Sequence, residues 1–159
     1  MTYLDIDLID LRNKNNGKLP KSPFAHQSLA LDSLNKVFNT NKDVPKSGLL
    51  VLPTGGGKTF TAVKWICDNI ISKNIKVIWL AHSFHLLDQA LETFKDYSIW
   101  INEKRSNLKI RVISSNPSHC SPSKIDEYDD VMIMTTTTAI NSFNSKSIDE
   151  YGNHLLTPF

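Results

Sequence analysis

The run LLVLPTGGGKTFTAVKWI, Leu49 to Ile66, constrains the fold more than any other part of the chain. An apolar stretch leads into three glycines, then Lys-Thr, then apolar residues at helical spacing, which predicts a strand, a tight loop and a helix. Gly48 to Leu52 reads as a short strand buried on both faces, the kind found inside a parallel sheet. Gly55, Gly56 and Gly57 lack a Cβ, so their backbone N–H groups can converge on a phosphate chain, and the following helix adds the positive end of its dipole. Lys58 supplies a mobile charge for the β and γ phosphates, and Thr59 a hydroxyl able to ligate Mg²⁺.

Composition limits what can surround such a loop. With 159 residues, 40% of them hydrophobic and 21% charged, the chain reads as one ordinary domain able to bury roughly two thirds of its unfolded surface. The formal charge is +2, from 18 basic and 16 acidic side chains, so any grip on nucleic acid must be local. Cys67 and Cys120 fit no C-x-x-C spacing, and His119-Cys120 lacks a second ligand pair for zinc. The opening MTYLDIDLIDL alternates acidic and apolar residues, unlike a signal or transit peptide, and no apolar run approaches the ~20 residues that span a bilayer. The expectation is a cytoplasmic chain with reduced thiols and no membrane partner.

Strands and helices alternate along the rest. NKNNGKLPK, residues 13–21, reads as an exposed loop, and Ser22-Pro23 as a helix start with Ser at the N-cap and Pro at the first helical position. Leu31, Leu34 and Phe38 recur at helical spacing until NTNKD stops them. Lys58 to Ser72 reads as helix, Ile75 to Ala81 as strand, and Phe84 to Tyr97 as a helix whose apolar stripe is Leu86, Leu87, Ala90, Leu91 and Phe94. Leu108 to Ile113 and Val131 to Met134 are further strands, separated by a turn-rich, mobile connector at Asn116 to Ser123. Strands alternating with helices predict a parallel α/β sheet with right-handed crossovers.

Leu52 stands where the general phosphate-loop pattern G-x-x-x-x-G-K-[ST] has its first glycine. The form found, L-P-T-G-G-G-K-T, carries Pro53 and Thr54 ahead of the glycines and resembles motif I of superfamily 2 helicases and translocases. SPFAHQ, Ser22 to Gln27, looks like the Q motif of that superfamily, which implies that Gln27 reads the adenine edge and that Phe24 packs on the base. VIWLAHSFHLLDQA, Val77 to Ala90, is similar to motif Ia, most closely as it occurs in motor subunits of restriction enzymes and related DNA translocases. The resemblance implies that Ala81, His82 and Ser83, delivered to the sheet's carboxyl edge, grip the phosphates of a strand. Relatives often carry Arg in place of Ser83 and Glu in place of His85. VMIMTTTTAI, Val131 to Ile140, resembles motif Ib, with the hydroxyls of Thr135, Thr136 and Thr137 bonding the nucleic-acid backbone.

The resemblance covers about residues 22 to 144 and implies a fold. That fold is an α/β, parallel-sheet P-loop NTPase of the RecA-like three-layer type, incomplete, with residues 1–21 as a lead-in and 22–159 as part of the first ATP-binding domain. ATP and Mg²⁺ are the implied cofactors, and nucleic acid, DNA rather than RNA, the implied partner.

Hydrolysis in this superfamily also needs a D-E-x-H motif at the end of a buried strand, and usually an arginine finger. Asp126-Glu127 and Asp129-Asp130 precede a strand, Asp149-Glu150 follows polar residues, and all three pairs read as solvated acidic loop. The chain stops at HLLTPF, about where relatives enter the strand that delivers D-E-x-H. The expectation is the front of a motor completed by a C-terminal RecA-like domain or a partner subunit, binding ATP weakly and turning it over poorly. Strands missing beside the glycine-loop strand would leave edges open to pairing. Two other readings fit the loop: a non-catalytic ATP-sensing module that binds nucleic acid or a partner, and another P-loop enzyme such as a packaging ATPase or a nucleotide kinase.

Overall fold

The computed structural model describes residues 2–15, 17, 19–38, 45–102 and 104–144. Along the chain lie β1 (Tyr3–Asp7), α1 (Leu8–Lys14), α2 (Ala25–Phe38), α3 (Lys58–Asn69), β2 (Val77–Ala81), α4 (Phe84–Ser98), β3 (Asn107–Ile113), β4 (Val131–Thr135) and α5 (Thr136–Asn144). Single 3₁₀ turns occupy Ile71–Lys73 and Pro122–Lys124. The strands form one mixed sheet in the order β1-β3-β4-β2, with β2, β3 and β4 parallel and β1 antiparallel to β3.

Strand alternation divides the core in two. On one face Leu108, Ile110 and Val112 of β3, Val131 and Ile133 of β4, and Val77 of β2 pack with Val63 and Cys67 of α3 and the stripe Leu87, Ala90, Leu91 and Phe94 of α4. On the other face Met132 and Met134 of β4 meet Ile113, Cys120 and Ala139 of α5. Both faces of β4 are therefore covered, which is why an unbroken apolar run suits it. Phe94 is fully buried and meets Trp79 edge-on, with ring centroids 5.6 Å apart. A side chain of that size withdrawn from water contributes about 1.5–3 kcal/mol.

The structure departs from the sequence-based expectations in several places, the first being that the sheet expected to be parallel is mixed, because β1 joins its edge antiparallel to β3. Gly48 to Leu52 is not a strand: residues 45–53 carry no ladder, and Leu49 and Val51 are 90% and 78% exposed. A doubly buried strand needs neighbours on its edges; β4 has both of its edges taken, by β3 and β2, and no described strand pairs with this segment. The helix expected from Ser22-Pro23 begins at Ala25, with the Gln27 carboxamide accepting the Phe24 N–H at 2.9 Å. Asp129 and Asp130 are not solvated. Asp129 is 1% exposed and holds Arg111 in a two-pronged ion pair (2.5 and 3.0 Å), while Asp130 pairs with Arg105 and accepts the Lys109 N–H at 2.8 Å. Arg111 also lies 4.6 Å over the Tyr3 ring, so this pair fastens β1 and the entry of β4 to β3. Finally, the opening residues form β1, to which the sequence assigned no element, and Leu8 just after it is fully buried. Asp149-Glu150 and HLLTPF lie outside the described residues.

Candidate nucleotide and nucleic-acid faces

The glycine loop opens α3 as expected. Gly57 is the N-cap, at φ +75°, and no side chain caps the first-turn N–H groups. Those donors and the helix dipole make a ready anion site. Gly55 is also in the left-handed region, at φ +76°. A Cβ on Gly57 would run into Gln27 Nε2, and one on Gly56 would sit 2.9 Å from the Pro53 carbonyl oxygen. The loop satisfies itself internally: the Gly56 N–H donates to Pro53 O at 2.9 Å, and exposed Lys58 donates through Nζ to Leu52 O and Pro53 O, each at 3.1 Å. A triphosphate would offer oxygens in exchange for these carbonyls. The half-buried Thr59 sits one residue further into the helix, where its hydroxyl could reach a magnesium ion. The residues present fit ATP with Mg²⁺: uncapped N–H donors, a mobile cation and a hydroxyl converge on one helix start.

The Q-like segment meets this loop directly. Gln27 is buried, and its Nε2 donates to Gly56 O at 3.1 Å while its Oε1 holds the Phe24 N–H. His26 Nε2 lies 3.1 Å from the same Gly56 oxygen. Phe24 is 70% exposed and its ring stacks near-parallel with that of His26, centroids 6.0 Å apart. Gln27 therefore bridges the Q-like segment and the glycine loop with one bond at each end of its carboxamide, leaving one N–H and one oxygen lone pair unused by these two bonds.

The Ia-like and Ib-like segments are neighbours because β2 and β4 pair in parallel with Ala81 opposite Thr135. Thr136 donates through Oγ1 to Ala81 O at 3.2 Å, tying the two segments together. Thr135 is buried, and its hydroxyl donates to Thr138 Oγ1 at 2.7 Å and accepts the Thr138 N–H at 3.1 Å, so it caps the first turn of α5. His82 and Thr137 are exposed, and Ser83 is the N-cap of α4 with no capping hydrogen bond.

One cluster at this edge escaped the sequence reading. Ser114 Oγ lies 2.7 Å from His119 Nδ1, and His119 Nε2 lies 3.0 Å from Asp88 Oδ1. No local pattern announces it, because α4 supplies Asp88, the turn just past β3 supplies Ser114 and the connector supplies His119. The connector expected to be mobile is bonded through it: the Cys120 N–H donates to Val112 O at 2.8 Å and the His119 N–H to Asn116 O at 2.9 Å. Burial, and secondarily Asp68, pushes the Cys67 thiol well above its usual range, so it is a packing group.

Among the described residues no helix is long and apolar enough to cross a membrane. A family model described as "Type III restriction enzyme, res subunit" matches residues 20–156, most of the chain. No curated protein and no solved structure matches.

Proposed function

The chain belongs to the type III restriction enzyme, res subunit, family, and from that premise we propose that it is an ATP-binding part of a superfamily 2 translocase acting on DNA in the cytoplasm. The observation that carries this reading is the bridge from Gln27 to Gly56, because it joins the residue expected to read adenine to the loop expected to hold phosphate. Residues 22–159 are proposed as part of a RecA-like P-loop domain, with 1–21 as its lead-in.

The proposed roles follow from the geometry. The first-turn N–H groups of α3 and the loop glycines hold the β and γ phosphates, and Lys58 leaves Leu52 O and Pro53 O to neutralise them. Thr59 offers its hydroxyl to Mg²⁺, which when bound supplies charge neutralisation at the transferring phosphoryl group. As Lys58 and the Gly56 peptide turn toward phosphate, Gly56 O moves with them, so Gln27 feels the state of the loop and is free to meet the base. His82, Ser83 and Thr137 face the strand's phosphates at the carboxyl edge, with Thr136 locking the two segments to each other. Asp129 and Asp130 enter β4 at its amino end and are held by Arg111 and Arg105, so the carboxylate that orients water and magnesium for hydrolysis comes from another segment or a partner subunit.

Calorimetric titration of ATP and of GTP, each with Mg²⁺, tests this. ATP-selective binding that disappears in Lys58→Ala, and that loses its preference over GTP in Gln27→Ala, is the expected outcome. Unchanged nucleotide affinity in Lys58→Ala would overturn the assignment, and equal ATP and GTP binding by the unaltered chain would remove Gln27 as the base reader.

A further inference from the structure

Two side chains of α2 converge on one peptide of the glycine loop. Gln27 Nε2 donates to Gly56 O at 3.1 Å, and His26 Nε2 lies at the same distance from the same oxygen. A carbonyl oxygen only accepts, so the imidazole hydrogen sits on Nε2, a tautomer assigned from this contact. The oxygen's two lone pairs admit both donors. His26 and Gln27 are consecutive in the first turn of α2, where side chains lean back toward the helix start, and both therefore reach the loop. The two differ in setting. Gln27 is buried, whereas His26 is exposed, with the Phe24 ring near-parallel beside it. Neither the first turn of α2 nor that of α3 carries an acid, so no carboxylate of these turns competes for the imidazole.

The consequence appears on the other side of that peptide. It is planar and trans, so Gly56 O and the Gly57 N–H point in opposite directions. With the oxygen drawn toward α2, the N–H is turned away from α2. Among the described residues the Gly57 N–H has no partner, and it adjoins the uncapped first turn of α3. The Gly56 N–H, by contrast, is spent on Pro53 O at 2.9 Å. The two donors on Gly56 O thus fix the direction of a backbone N–H that is left for a ligand. Because the oxygen has two donors, it keeps one if Gln27 turns elsewhere, and an exposed side chain such as His26 can follow it through a small rotation.

Resting on the nucleotide reading above, we propose that His26 is a positioning residue that shares Gly56 O with Gln27, aims the Gly57 N–H at the phosphate chain, and keeps it aimed while Gln27 meets the base. Calorimetric titration with two probes, ATP and inorganic tripolyphosphate, each with Mg²⁺, separates this role from a contact with the base, since tripolyphosphate has none. Thermal unfolding is followed alongside. His26→Ala weakens both probes by the same factor, about three- to tenfold, the effect of one net hydrogen bond. His26→Phe, which keeps a ring beside Phe24 but has no donor, weakens them equally. His26→Gln, whose carboxamide again offers an N–H, restores most of the binding of both. Because His26 is exposed, all three variants unfold close to the unaltered chain. Should His26→Ala be destabilised, the difference between His26→Phe and His26→Gln still decides. Loss of ATP binding with tripolyphosphate unmoved puts His26 on the base and overturns the inference, as does a His26→Gln variant no better than His26→Ala. Binding that Lys58→Ala abolishes but the His26 variants leave untouched overturns it too and spares the nucleotide reading; no binding of either probe by the unaltered chain at low salt removes both.

Discussion

Two apolar runs in this protein have opposite fates. Val131–Thr135 and Gly48–Leu52 are of equal length and comparable hydrophobicity, yet every residue of the first is buried while Leu49 and Val51 of the second stand out in solvent. The difference lies in neighbours. β4 has β3 on one edge, β2 on the other, and a packed cluster on each face. The segment before the glycine loop lines an apolar cleft of about 310 Å³ together with Val37 and Phe38 of α2 and Trp65 and Ile66 of α3, and among the described residues it has no strand partner. Hydrophobic residues supply the drive to be buried, but a strand's backbone must also find ladder partners before that drive can be used.

This contrast can be broken or sharpened by substitution. The largest loss is expected at the polar anchor of the closed region: Asp129→Ala leaves the Arg111 guanidinium without its counter-charge and costs about 3–5 kcal/mol, read as a fall in urea midpoint at constant slope. Ile133→Ala, in the middle of β4, costs about 2–5 kcal/mol by the same measurement. Gly57→Ala places a Cβ at φ +75° and against Gln27, so about 1–3 kcal/mol of strain is expected together with loss of ATP affinity by calorimetry. Leu49→Ala changes stability by no more than about 0.5 kcal/mol; a loss like that of Ile133→Ala would show that the segment is part of the closed core after all. Smallest of all, Cys67 resists alkylation at pH 8 in the folded chain and reacts in urea, because burial first, then Asp68, holds its thiol protonated; ready reaction in the native state would show that the closed region opens.

Much of the molecule was legible from the sequence. β2, β3, β4, α3 and α4 lie within two or three residues of their expected bounds, since each announces itself through a period of 2 or 3.6 or an unbroken apolar run. Of the candidate site, the placement of Gly55 to Thr59 at the start of α3 and of His82 and Thr137 just past β2 and β4 was legible for the same reason: a loop between periodic segments can be located by counting. β1 was not, because its alternation of Tyr3, Asp5 and Asp7 with Leu4 and Ile6 gains meaning only once β3, about a hundred residues on, offers a partner. Thr135 illustrates a subtler limit. Its place at a strand end was readable, whereas its engagement with Thr138 depends on where the helix begins.

The sequence by itself determined the order of β2, β3, β4, α3 and α4 and the glycine-rich start of α3, because these arise from patterns within a few residues of chain. Only the tertiary structure decided which apolar run is buried, that Asp129 is an anchor, that Gln27 holds Gly56, and that Asp88, His119 and Ser114 meet. Each of these depends on a partner distant in sequence, and neither periodicity nor composition carries information about which distant segment will arrive.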